Sequence, residues 1–434
     1  MTAEIGILNK QGVALAADSA VTLTSGDQMK VLNSANKLFN LSTYEPVGIM
    51  MYSNGDYMGT PWEIIIKQYR RLLGRKKFKT LKEYCDDFFE YVFSYEKINN
   101  ILDQEFLVQR LFNERLNEVL KITNEKIINM FDNVKPTEDE VKVILQNEID
   151  LYINEFEKRN NLENPELFTV DDYKKEYFHS IEPIINQAIN IKLDNSYIDK
   201  LIYIGFLSVV KDFFSNYTGI VIAGYGDDDI FPGIYEYYVC GTTKKFNKYK
   251  LNKEQIIGCG PINTASINPF AQQEMVHSIV TGIDPDLYND INNAIGTVTV
   301  NLYELVKKIN DNNKLSLPID SLKYIFDEVG DQLYNEIQDY IKKIQQEKYI
   351  NPILNMVSML PKDELATMAE TLVNITSFKR RITLGAETVG GPIDVAVISK
   401  NDGFIWIKRK HYFDSELNYN YFNRKKGLCN YVSK

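Results

Sequence analysis

Short apolar runs crowd the first fifty residues, and their lengths predict strands. Ile5-Gly6-Ile7 is followed by a Lys10-Gln11-Gly12 turn and Val13-Ala14-Leu15-Ala16-Ala17, then by Lys37-Leu38-Phe39-Asn40-Leu41 and Val47-Gly48-Ile49-Met50-Met51. Runs this short, bounded by turn residues, read as two hairpins in sequence. After Ser53-Asn54 the spacing changes to Trp62, Ile65, Ile66 and Tyr69, one face of a helix that continues to Leu73 and ends at Gly74. From about 75 to 216 the pattern is long, charged and of helical period, with Phe112, Leu116, Val119, Leu120, Ile127 and Phe131 on one stripe. Within that block Thr137 and Glu140 have the spacing of a capping box, in which each side chain satisfies a backbone donor at the start of a helix.

Strand character returns at 217–225 and again at 233–239, on either side of the Asp227-Asp228-Asp229 turn. A helix is expected around 271–280, irregular and helical sequence to about 360, and an amphipathic helix from Asp363 through Leu365, Met368, Leu372 and Ile375. A last hairpin joins 393–398 to 404–407 through Asn401-Asp402-Gly403, because Asp-Gly favours the left-handed turn that hairpins need. Strands at both ends enclosing helices predict a layered α+β fold with a helical insertion.

A chain of 434 residues is long for one domain, and 44% hydrophobic residues can build a sizeable core. The net charge of −10 has the wrong sign for a surface that neutralises phosphates, so nucleic acid is not expected as a partner. Four scattered cysteines (Cys85, Cys240, Cys259, Cys429) and three histidines (His179, His277, His411) make neither a disulfide framework nor a metal site. No cofactor or metal is expected. No leader-like segment or membrane-length apolar run is present, so a cytoplasmic protein without a membrane partner is expected. The acidic turn 227–229 and the basic runs Arg75-Lys76-Lys77 and Lys408-Arg409-Lys410 read as solvated faces.

The histidine count also bears on catalysis, since a hydroxyl nucleophile needs a base that histidine cannot supply here. Thr2, once Met1 is removed, carries both a hydroxyl and a free α-amine, and the amine can be that base. A neighbouring Lys37 ammonium would favour the neutral amine by like-charge repulsion, and Asp18 would hold Lys37 oriented. Lys37 itself is expected on a surface-facing strand.

With those residues in view, the chain resembles the proteasome β-subunit group of N-terminal-nucleophile hydrolases, and more closely its bacterial ancestral-type members. The stretch from Thr2-Ala3-Glu4-Ile5-Gly6-Ile7 to Gly12-Val13-Ala14-Leu15-Ala16-Ala17-Asp18-Ser19 is similar to the nucleophile strand and following aspartate, and Asn36-Lys37-Leu38-Phe39 to the lysine strand. The resemblance implies a four-layer αββα sandwich with Thr2 as nucleophile and Asp18 and Lys37 as supporting charges. It puts the oxyanion donors at the backbone of Tyr52 and Ser53, where the family usually has glycine at the tyrosine position. A supporting serine of a Gly-Ser-Gly turn becomes Cys259, and the family's later Asp and Ser align with Ala386 and Val389, leaving Glu387 and Thr388 as nearest polar substitutes. Substrate-pocket positions fall on Val21, Ala35, Met50 and Asn54, which implies cleavage after uncharged, apolar side chains.

The implied organisation is a core of 1–74 and 217–413 containing an additional mostly helical insert at 281–360, a helical insertion at 75–216 that nothing in the family matches, and a tail at 414–434. The expected function is a threonine-type amidohydrolase, a peptidase forming an acyl-enzyme on Thr2, acting on a peptide or protein as a homo-oligomer. Two alternatives stand beside it. One is an inactive assembly or binding protein whose helical insertion meets a partner protein, and the other a hydrolase of small amides; fold alone does not choose.

Overall fold

A computed structural model describes residues 2–25, 28–132, 134–163, 165–258, 263–313, 318–383 and 389–425. In chain order the strands are β1 Ala3–Asn9, β2 Gly12–Ala17, β3 Val21–Ser25, β4 Gln28–Leu32, β5 Leu38–Asn40, β6 Val47–Ser53, β7 Asp56–Tyr57, β8 Thr60–Pro61, β9 Thr218–Gly224, β10 Gly233–Thr242, β11 Asn247–Ile256, β12 Ala265–Ala271, β13 Asp394–Ser399 and β14 Gly403–Lys408. The helices are α1 Trp62–Leu73, α2 Leu81–Ser94, α3 Ile101–Phe131, α4 Glu138–Glu157, α5 Val170–Ala188, α6 Asn195–Val210, α7 Glu274–Thr281, α8 Pro285–Val300, α9 Leu302–Asn313, α10 Lys323–Gln345, α11 Asn351–Met359, α12 Lys362–Ile382 and α13 Tyr419–Lys425. The class is α+β, with antiparallel sheets and many helices.

The chain divides into two compact units, the first made of Met1–Leu38, Ile230–Gly233 and Ile256–Lys434, the second of Phe39–Asp229 and Ile234–Gln255.

In the first unit a five-stranded sheet has the order β12-β1-β2-β13-β14. β1 and β2 pair antiparallel with Ile5 opposite Ala16 and Ile7 opposite Ala14, and β13 joins the far side of β2. Period-2 alternation sends Ala3, Ile5, Ile7, Ala14, Ala16, Val395 and Val397 to one face, where they bury against Val357 of α11 and Leu365, Ala369, Leu372 and Val373 of α12. Leu365 is fully buried there, so truncating it to alanine would cost about 2–5 kcal/mol. Gly12 is required where β2 meets β13, since a Cβ at that position would come within 2.6 Å of the Ile398 carbonyl oxygen. Lys410, expected to be solvated, is nearly buried and ion-paired with buried Asp394, because both its N–H and its ammonium bond to that carboxylate at the start of β13.

The second unit holds the sheet β11-β10-β9-β6-β5. Ile49, Met51, Ile220, Ile222, Tyr237 and Val239 on one face pack against Trp62, Ile65, Ile66 and Tyr69 of α1 and Phe88 and Phe89 of α2. Helices α3 to α6 enclose a separate apolar cluster built on Leu107, Phe112, Ile149, Tyr173, Ile181 and Ile204. The capping box at Thr137 and Glu140 forms as the spacing predicts. In the 227–229 turn, Asp229 departs from the solvated reading by accepting the N–H groups of Gly226 and Leu81, each at 2.8 Å.

Candidate functional site

The residue before β1, the residue after β2 and the residue before β5 converge in the first unit. Lys37 Nζ donates to Asp18 Oδ1 at 2.6 Å and to Thr2 Oγ1 at 3.1 Å. All three side chains are buried: Thr2 is 6% exposed, Asp18 0% and Lys37 4%. Lys37 is thus not surface-facing, because two anchors hold its ammonium inside the fold.

Asp18 is held by more than lysine. Its Oδ1 also accepts the Ala3 N–H at 3.2 Å, and its Oδ2 accepts those of Gly390 at 3.0 Å and Ala20 at 3.4 Å. The backbone around it is clasped by Asp18 N–H to the Ala3 carbonyl and Ser19 N–H to the Gly390 carbonyl, both 3.1 Å, and by the Ser19 hydroxyl on the Pro392 carbonyl. Gly391 sits at φ +77°, and a Cβ there would come within 2.8 Å of the Asn33 side chain, so the turn that presents Gly390 to Asp18 needs glycine. A carboxylate with four donors keeps a fixed orientation, and the lysine it fixes has one remaining job, to donate to the threonine oxygen. An accepting Oγ leaves the hydroxyl proton free to be taken by a base on the other side.

The other expected residues fall in several places. Ala35 is half-buried beside the trio's chain segment, its N–H donating to Ser19 O at 3.1 Å, and Val21 is half-buried at the start of β3. Tyr52, Ser53, Met50 and Asn54 belong to the second unit. The Tyr52 ring occupies the space over Gly219 of β9, where an added Cβ would come within 2.0 Å of it, and its hydroxyl donates to Glu236. Burial and Glu236 push the Tyr52 phenol far up from its ordinary value. Ser53 is exposed at φ +71°, a left-handed conformation that costs a non-glycine residue of order 1 kcal/mol. Met50 is wholly buried opposite Val221, and Asn54 lines a cavity of about 360 Å³ with Asp56, Met58, Asp103, Arg110 and Asn216. Cys259 and Glu387 lie outside the described residues, as do Ala386 and Thr388.

Sequence reasoning missed Glu4, Ser19 and Gly390. Glu4 had a signal, being the one charged residue in the buried strand Ala3–Asn9. Gly390 was legible only as part of the Gly390-Gly391-Pro392 turn, since its role as a backbone donor to Asp18 is carried by no side chain.

Among the described residues no group of three or more His, Cys, Asp or Glu is arranged to hold a metal, and no helix is long and apolar enough to cross a membrane. No family model matches the chain, and the curated proteins contain no match to it. The solved structures similar to it include Anbu (ancestral beta-subunit) from Yersinia bercovieri, at 8% identity and TM-score 0.26 over 100% of this chain and 98% of that one, and the helical assembly of the Anbu complex from Pseudomonas aeruginosa, at 7% identity and TM-score 0.27 over 98% and 93%.

Proposed function

We propose that the chain is an N-terminal-threonine amidohydrolase of peptidase type, with Thr2 as nucleophile once Met1 is removed. The observation that carries this reading is the buried bridge of Lys37 between Asp18 and Thr2 Oγ1. A buried ammonium is costly, and one aimed at a hydroxyl has no evident use in packing. In the proposed cycle the Thr2 α-amine takes the Oγ proton as Oγ attacks the substrate carbonyl, forming an ester and passing the proton to the leaving amine. Water then attacks the ester with the amine again as base, regenerating Thr2. Lys37 steadies the developing charge on Oγ, and Asp18 keeps Lys37 in place; the oxyanion role at the backbone of Tyr52 and Ser53 belongs to the proposal. So do the four-layer αββα sandwich, the insertion of 75–216 as a partner-binding or assembly element, the homo-oligomer, and accessory roles for Cys259 and Glu387.

A second reading, an inactive assembly or binding protein, is favoured by Val389, which stands where the resemblance expects a serine and is buried in the apolar cluster of the first sheet. Turnover of fluorogenic peptides with uncharged residues before the scissile bond, lost in Thr2→Ala and retained in wild type, decides between the two. Wild-type protein with an exposed Thr2 amine and no turnover on peptides or small amides would support the second.

A further inference from the structure

β1 alternates between two environments. Ala3, Ile5 and Ile7 enter the core beneath α11 and α12, so Glu4 falls on the opposite face, the one Thr2 shares. Its cross-strand neighbours are Ala17 and Phe270, neither of which offers a polar side chain. Glu4 is 2% exposed, and neither of its carboxyl oxygens has a hydrogen-bond partner among the described residues. Asp18, by contrast, has four donors. One ammonium acts on two buried carboxyl groups, and it bonds to the one with backbone donors, Asp18.

The charged groups acting on Glu4 are Lys37, which favours its ionisation, and Asp18, which opposes it. In the same row of the sheet, beyond Ala17, Asp394 is neutralised by Lys410. Burial outweighs Lys37 and pushes the Glu4 carboxyl well above the usual carboxylate range, so the acid stays protonated where free glutamate is charged.

We propose that Glu4 is a positioning residue of the Thr2 site, a buried and unpartnered carboxyl on the face of Thr2 whose negative charge, when it forms, competes for Lys37 and draws it away from Thr2 Oγ1. The catalytic half of this inference rests on the hydrolase reading; the charge state of Glu4 does not. When Glu4 ionises, a second negative charge competes with Asp18 for the Lys37 ammonium, and Thr2 Oγ1 loses its donor.

Two measurements on the full-length protein test it, each in wild type, Glu4→Gln and Glu4→Met. The first is the pH dependence of Thr2 acylation by a β-lactone. The alkaline limb should move up by about one pH unit or more in both variants, the size expected from removing one charge at close range. The second is melting temperature against pH. A carboxyl whose folded pKa is raised weakens the fold progressively as pH climbs from the ordinary 4.5 toward the folded value, so the variants should gain on wild type over that span. Superimposable melting-against-pH differences overturn the neutral acid. Diverging melting curves with superimposable acylation limbs overturn the positioning role. Absence of acylation in all three proteins at every pH sinks the hydrolase reading instead, and the melting comparison then decides the charge state of Glu4 alone.

Discussion

The Tyr52 ring stands over Gly219, and each residue is the condition for the other. A Cβ on residue 219 would come within 2.0 Å of the ring, and the phenol that the ring carries donates to buried Glu236. A bulky side chain at position 52 is therefore accommodated within its own sheet by a missing side chain on the adjacent strand. Gly219→Ala should destabilise the protein by about 1–3 kcal/mol through overpacking. Combining it with Tyr52→Ala should cost less than the sum of the two single changes, because the clash is gone. Urea denaturation of the four proteins measures this, and strict additivity would mean the ring moves freely.

Lys37 and Asp18 form a buried pair, so removing either leaves the other charge uncompensated. Lys37→Ala is expected to lose about 3–5 kcal/mol of stability as well as activity. The double variant Lys37→Met with Asp18→Asn should recover most of the stability and none of the turnover. Denaturation midpoints that are unchanged in Lys37→Ala would contradict the burial.

Lys248 is fully buried in the second unit and donates to the carbonyls of Val209 at 3.2 Å and Lys211 at 2.9 Å. Burial pulls its ammonium down from 10.5 to about 8. A lysine with a lowered folded pKa binds its proton more readily when unfolded, so it weakens the fold at neutral pH and the penalty fades as pH rises from about 8 to about 10.5. Wild type should therefore gain stability relative to Lys248→Met across that window, by about 3 kcal/mol at the upper end. Parallel stability curves for the two proteins would show that the lysine keeps an ordinary pKa.

Thr137 accepts the Glu140 N–H at 3.3 Å, and Glu140 Oε2 accepts the Thr137 N–H at 2.8 Å. Thr137→Ala should cost about 1 kcal/mol and raise amide exchange in the first turn of α4 with little change elsewhere. Exchange that rises throughout α3 to α6 would instead mean that the cap supports the whole cluster.

What the sequence disclosed follows from where each element lies. β1, β2, β13, β14 and α1 announced themselves because their residues are apolar at the right period or end in an Asp-Gly or Gly signal. β11 and β12 did not, and both are edge strands. β11 is largely exposed and alternates Lys, Asn and Glu with Tyr and Leu, and β12 carries Pro269, which an edge tolerates because one side needs no ladder donor. At the site, Thr2, Asp18 and Lys37 could be named because their chemistry is written in their side chains. That Lys37 is buried, that Gly390 completes the Asp18 cage and that Glu4 shares the face of Thr2 depend on pairing register and chain return, which no local pattern encodes.

The central claim is that Thr2 is a nucleophile carrying its own base, and mass spectrometry after incubation with an epoxyketone reads it directly. An epoxyketone needs both a hydroxyl and a free α-amine on one residue to form its ring adduct, so it reports removal of Met1 and reactivity of Thr2 together. The account predicts a chain lacking Met1 with one inhibitor mass added to the peptide beginning at Thr2, and no adduct in Thr2→Ala. An intact Met1 with no adduct, or an adduct that persists unchanged in Thr2→Ala, would contradict it.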